Sequence, residues 1–275
     1  MMYLSVFIYI VIGVCVGSFL NVIIYRLPIM LSRSVLKNTV SSPCAVNDIF
    51  KNKFNLCLPK SFCPGCYSPL PVKYNIPIFG WLFLRGITKC CNKKINPRYL
   101  IVELLTAFLT LIVVLCSKSD YLAVISLFLI WSLITLSFID LDCYLLPDCI
   151  TLPLLWLGLI ININHTFCSL SFAVLGATVG YIFLWLPSWL FKFIKGIEGM
   201  GQGDFKLMAA LGAWFGVSAI PILILLSSSL GIIISIAISR LSKKEIRYIA
   251  FGPYIALAGG GYLFMGEYIT NLLSL

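Results

Sequence analysis

Residues 121–148 read YLAVISLFLIWSLITLSFIDLDCYLLPD, and from Tyr121 to Ile139 no side chain is charged. About 20 mostly apolar residues suffice to cross the hydrocarbon core of a bilayer as a helix. The stretch therefore predicts a span over 121–140 that ends on a carboxylate, Asp140. Comparable runs predict spans over 4–25, 99–116, 149–164, 168–190, 205–217, 219–239 and 252–272, the 205–217 run being the shortest. All are continuous and lack the alternation of barrel strands. Backbone groups in lipid must bond within their own segment, so helices are the reading. The expected fold is an all-α polytopic membrane protein of about eight transmembrane helices, with the lipid bilayer as its main solvent.

Composition agrees. The chain is 60% hydrophobic and 11% charged, with a mean hydropathy of +1.02, which does not suit a water-facing surface. A net charge of +10 raises the question of nucleic acid. Its distribution argues for topology instead, and no nucleic-acid partner is expected. Residues 26–98 carry twelve of the twenty Lys and Arg, and only Lys118 falls on the opposite side of the membrane. The positive-inside rule puts the 26–98 loop in the cytoplasm and both termini outside. The first run has no basic leader and continues into Tyr25-Arg26-Leu27-Pro28, so it is expected to stay as a span.

With ten Asp and Glu in the chain, each can be weighed. A carboxylate at membrane depth is costly and marks function by default. Asp140 closes the third span and Asp204 opens the sixth, after Gly201-Gln202-Gly203. The parity of the spans brings both to the inner edge. Gly201 and Gly203 allow positive φ or the close approach of an extended peptide; alternatively they form a turn that Asp204 caps. Asp148 follows Leu146-Pro147 and is expected to cap the next helix. Asp142 is a solvated neighbour or tunes Asp140. Glu103, just inside the second span, either snorkels, pairs with a basic loop residue or joins the chemistry. Asn21, inside the first span, is expected to hydrogen-bond between helices.

The lone histidine, His165, is in a short outer loop. That removes Ser–His, Cys–His and His-rich metal schemes from the inner face and leaves a carboxylate pair. Two carboxylates in one site do not readily both ionise. The ionised member can take a proton from water while its protonated partner polarises a peptide carbonyl; the two titrate as a unit. In the 26–98 loop, Cys63-Pro64-Gly65-Cys66 is a C-x2-C half-site for tetrahedral zinc. The second half is altered: Cys90 and Cys91 are adjacent, and Thr88 stands where a partner would be. Zinc held by Cys63, Cys66, Cys91 and Cys90 and a loop of reduced thiols are the two readings, with Cys44 and Cys57 as spare ligands.

The ordered series Gly17-Ser18-Phe19-Leu20-Asn21 through Tyr25-Arg26-Leu27-Pro28, Cys63-Pro64-Gly65-Cys66, Asn75-Ile76-Pro77, Leu84-Arg85-Gly86, Asn96-Pro97-Arg98-Tyr99, Val102-Glu103-Leu104-Leu105-Thr106, Ile139-Asp140, Leu145-Leu146-Pro147-Asp148 and Gly199 to Leu207 covers nearly the whole chain. It resembles the bacterial type IV prepilin peptidases, the leader peptidase/N-methyltransferases. The resemblance implies that Asp140 and Asp204 are the catalytic aspartates of a Gly-x-Gly-Asp membrane protease in the bacterial inner membrane, with periplasmic termini. It implies a type IV prepilin or pseudopilin substrate, cleaved after the Gly of a short basic leader on the cytoplasmic face. It implies S-adenosylmethionine as the donor for N-methylation of the new terminus, with pilus assembly or protein secretion as the setting. Residues 1–98 are then the methyltransferase-associated part and 99–275 the peptidase domain. The series departs from the family pattern at Thr88 and Cys90 and in a longer segment around 32–60. Two rival readings follow from the acids and the spans: a proton-coupled transporter, with acids near mid-bilayer and an inverted repeat, and a non-catalytic membrane scaffold for pilus assembly.

Overall fold

The computed structural model describes residues 2–35, 54–63, 66, 68–197, 199–242 and 249–272. Cys44 and residues 36–53 of the longer loop segment lie outside them. The described chain is helical: α1 (Met2–Val35), α2 (Phe79–Phe83), α3 (Arg98–Cys116), α4 (Asp120–Cys143), α5 (Asp148–Asn162), α6 (Leu170–Lys195), α7 (Gln202–Phe215), α8 (Ala219–Ser242) and α9 (Gly252–Leu272), with a 3-10 turn at Val72–Asn75. Five stretches are long and apolar enough to cross a membrane: Val6–Ser32, Arg98–Cys116, Asp120–Cys143, Leu170–Lys195 and Ala219–Arg240. The chain is thus a multi-pass membrane protein. At about 1.5 Å per residue, α5 (15 residues) and α7 (14 residues) are shorter than the hydrocarbon core is thick. The first helix runs further than its apolar pattern alone predicts, to Val35, with Pro28 inside it.

Two compact units divide within α4, between Thr135 and Leu136. In the first, α1 packs along α3. Small residues face one another there: a side chain at Gly17 would stand 2.8 Å from the Glu103 Cα. The Asn21 amide donates to the Tyr99 carbonyl at 3.0 Å, the interhelical role expected of it. Trp131 of α4 donates its Nε1–H to Thr110 Oγ1 at 3.1 Å.

In the second unit α7 is the core. Every residue from Asp204 to Phe215 except Lys206 is buried, as befits a helix apolar all round. It packs against α5, α6 and α9. Its far end is fixed by two side chains. Asn162 Nδ2 donates to the carbonyls of Ala213 and Trp214 at 2.8 and 2.9 Å, supplying partners to carbonyls a helix end leaves open. Trp214 Nε1 donates to the Leu154 carbonyl at 2.9 Å. With that end held, the opening turn and Asp204 have a defined position.

Candidate active site and candidate metal centre

Asp140 lies near the end of α4 and is 5% exposed. The Gly252 amide donates to its Oδ2 at 2.9 Å. Gly252 opens α9, so this N–H has no partner inside its own helix, and it sits at the positive end of the helix dipole. A side chain at 252 would meet Oδ2 at 2.7 Å, so a larger residue there has to displace the carboxylate. Asp204 is in the first turn of α7 and is 8% exposed. Its Oδ1 is buried with no hydrogen-bond partner, a state that buried polar atoms rarely keep without a purpose.

The two carboxyls are close enough for their charges to interact. Leu146 joins their supports. After α4 the chain turns at Tyr144, whose φ is +51°, and buries Leu146. A side chain at Gly203 would stand 2.6 Å from Leu146 Cβ, and one at Gly252 would stand 3.1 Å from Leu146 Cδ2. The end of α4, the 144–147 turn and the starts of α7 and α9 therefore converge. Neither glycine before Asp204 uses positive φ. Gly201 is extended, at φ −72° and ψ 143°, and Gly203 is helical; its missing side chain admits Leu146, not a substrate. At Gly201 a side chain would lie 3.6 Å from Asp204 Oδ2, an ordinary contact.

Of the other acids, Asp148 and Glu103 depart from expectation. Asp148 makes no side-chain cap; Pro147 occupies the cap position. Asp148 instead pairs with Lys206, whose Nζ donates to both carboxylate oxygens at 2.7 and 2.8 Å, linking the starts of α5 and α7. Asp142 is exposed, and two residues of helix turn it away from Asp140. Glu103 belongs to the first unit. It is buried rather than snorkelling, and among the described residues it pairs with no cation: its Oε2 accepts the Ile78 amide at 2.7 Å. Gly252 has no part in the sequence reading, and Leu146 and Lys206 enter it only within motifs, with no role of their own at the site. Gly252-Pro253 before an apolar run does signal a helix start, but nothing in it names Asp140 as the partner.

In the 54–97 loop the four sulphurs of Cys63, Cys66, Cys90 and Cys91 lie within 4.8 Å of one another. Closest are Cys66 with Cys90 at 3.4 Å and Cys63 with Cys91 at 3.6 Å. A tetrahedral zinc thiolate with bonds of about 2.3 Å has edges of roughly 3.8 Å, so the set fits zinc. Cys63 and Cys66 lie within a turn closed by Phe62 and Pro69, and Cys90 and Cys91 within one closed by Ile87 and Lys94. Asn92, at φ +52°, tightens the second turn beside the adjacent cysteines. Thr88, which stands where the spacing calls for a cysteine, contacts Cys91 Sγ through its hydroxyl at 3.2 Å. Hydrogen bonds, first from the Ser68 hydroxyl, bring the Cys66 thiol down to about 6. Cys91 is lowered too, chiefly by the Thr88 hydroxyl. Thiolates are the form that binds metal.

A model of the bacterial peptidase A24 N-terminal domain matches residues 11–117, and that of the type IV leader peptidase family matches residues 127–236. A prepilin leader peptidase/N-methyltransferase of Aeromonas salmonicida (strain A449) is 46% identical over 262 residues, covering 93% of this chain and 89% of that protein. The chain belongs to the type IV leader peptidase family. Relatives with the same name in Stutzerimonas stutzeri and Neisseria gonorrhoeae are 46% and 45% identical, over 94% and 90% of this chain and 90% and 86% of theirs. No solved structure matches. Membership makes the chain a peptidase with N-methyltransferase activity.

Proposed function

We propose that Asp140 and Asp204 are the catalytic pair of an aspartyl endopeptidase that removes the leader of type IV prepilins or pseudopilins. Cleavage follows the glycine that ends the leader, on the cytoplasmic face of the bacterial inner membrane. The observation that carries this reading is the pair itself: one carboxylate steadied by the Gly252 amide, the other with a buried oxygen that has no partner. One carboxylate takes a proton from water, whose oxygen attacks the peptide carbonyl carbon. Its protonated partner gives a hydrogen bond and then a proton to the carbonyl oxygen. Collapse breaks the C–N bond, and the departing amine takes a proton from the pair. Gly201, with space beside Asp204 Oδ2, lets an extended substrate approach.

Both acids sit at helix ends, which favours a peptidase over a proton-coupled transporter with acids at mid-helix. The charge distribution favours a cytoplasmic site, with eight spans and both termini in the periplasm. S-adenosylmethionine, when bound, supplies the methyl group that the new N-terminal amine accepts. Methyl transfer is assigned to residues 1–98 with the α3 scaffold, and proteolysis to the remainder of 99–275. Zinc at Cys63, Cys66, Cys90 and Cys91 is a structural ion that fixes the two hairpins. Asp140→Asn and Asp204→Asn, co-expressed with a prepilin, should each insert in the membrane and leave the leader on, as read by intact mass. Leader removal by either variant contradicts the assignment.

A further inference from the structure

We infer that a cavity in the first unit is the methyl-donor site, resting on the methylating half of the function proposed above. The cavity holds about 270 Å³ between α1, the start of α3 and the cysteine loop, just below the range of small-molecule pockets, roughly 300–1,000 Å³, and it is open on one side. Its wall combines three chemistries. Tyr25, Tyr74, Trp81 and Tyr99 supply aromatic faces. Glu103 supplies a buried carboxylate, 8% exposed, oriented by the Ile78 amide. Arg26 supplies a buried guanidinium, whose Nη1 donates to the carbonyls of Asn55 and Leu56 and whose Nη2 donates to that of Pro59.

An aliphatic lipid chain would need none of these groups. S-adenosylmethionine carries the complement of each: a flat adenine to stack on a ring, a sulfonium attracted to an aromatic face or carboxylate, and a carboxylate suited to guanidinium. A separate observation points to a polar ligand. Trp81 lines the cavity, and its Nε1–H is buried with no hydrogen-bond partner among the described residues. A buried indole N–H normally finds an acceptor. The adenine nitrogens, the ribose hydroxyls and the donor's carboxylate all offer one. Cys63 and Thr88 also line this space, so the hairpins that gather the cysteines form part of its wall.

The test uses the full-length protein in detergent micelles and methyl-tritiated S-adenosylmethionine. Equilibrium dialysis should show binding by the wild type, weakened about tenfold in Glu103→Gln and about three- to tenfold in Trp81→Phe, which keeps the ring and removes the donor. Helical circular dichroism and elution volume check the fold of each variant. Ultraviolet cross-linking to the wild type, with peptide mapping, gives an answer that does not depend on variants: label belongs on peptides containing Tyr74, Trp81 or Tyr99. Wild-type affinity in both variants, or label confined to residues 136–275, overturns the site. If the wild type methylates its product while either of those results holds, only this site is lost. If it binds no donor and its product carries no methyl group, the methylating reading falls with it.

Discussion

At the scale of single residues the site depends on a glycine that carries no chemistry. Gly252 brings a helix-opening amide to Asp140 Oδ2, and any side chain there would collide with that oxygen at 2.7 Å. Gly252→Ala should lower the rate of leader removal by at least tenfold, with membrane insertion retained, in a reconstituted cleavage assay. Gly201→Ala has ordinary space at 3.6 Å, so its effect should fall on KM for the peptide while the protein folds normally. Asp148→Asn removes one half of an ion pair whose carboxylate is 56% exposed. Such pairs contribute about 0–1 kcal/mol, so its Tm should change by no more than a few degrees. Both aspartates were legible in the sequence because charge is rare in an apolar chain. Gly252 was not: the partner of a helix-opening amide is set by tertiary packing, 112 residues away along the chain.

At the scale of elements, the apolar runs located the spans because length and hydropathy are local properties. The role of α7 is less local. Its 14 residues are buried on nearly all sides, and Asn162 and Trp214 fix its far end from α5 and within α7 itself. The cysteine hairpins show the same limit. Adjacent Cys90 and Cys91 read as a damaged half-site because spacing alone says nothing of the turn at Asn92, whose positive φ tightens the hairpin. Cys66 is held at about 6 by its hydrogen bonds with Ser68 and Cys90, and Cys91 is lowered as well. The Cys66 thiol is therefore largely deprotonated at neutral pH and regains its proton as pH falls through about 6, and Cys91 loses its proton more readily than an ordinary thiol. Zinc per protein, measured after dialysis across a pH series, should stay near one at neutral pH and be lost only on the acid side of about 6, where protons compete with the metal for the thiolates. Loss of zinc already at neutral pH would contradict the site.

At the scale of the whole molecule, the proposal gives each of the two compact units its own chemistry. The cysteine hairpins and the aromatic cavity belong to the first, and the aspartate pair to the second. Each unit has its own packing, α1 on α3 in one and α5, α6 and α9 around α7 in the other. Chelation of the zinc should therefore reduce N-methylation of the product by tenfold or more and leave leader removal within about twofold, with both read from one mass spectrum. Equal loss of the two activities would contradict that separation. The central claim is that Asp140 and Asp204 act as one catalytic unit. Groups that act together are not additive when removed. The most direct measurement is the leader-cleavage rate of purified wild type, Asp140→Asn, Asp204→Asn and the double variant on one synthetic prepilin. The expected result is a loss of at least a thousandfold in each single variant and no further loss in the double. Single variants that retain substantial cleavage, or losses that multiply in the double, would contradict it.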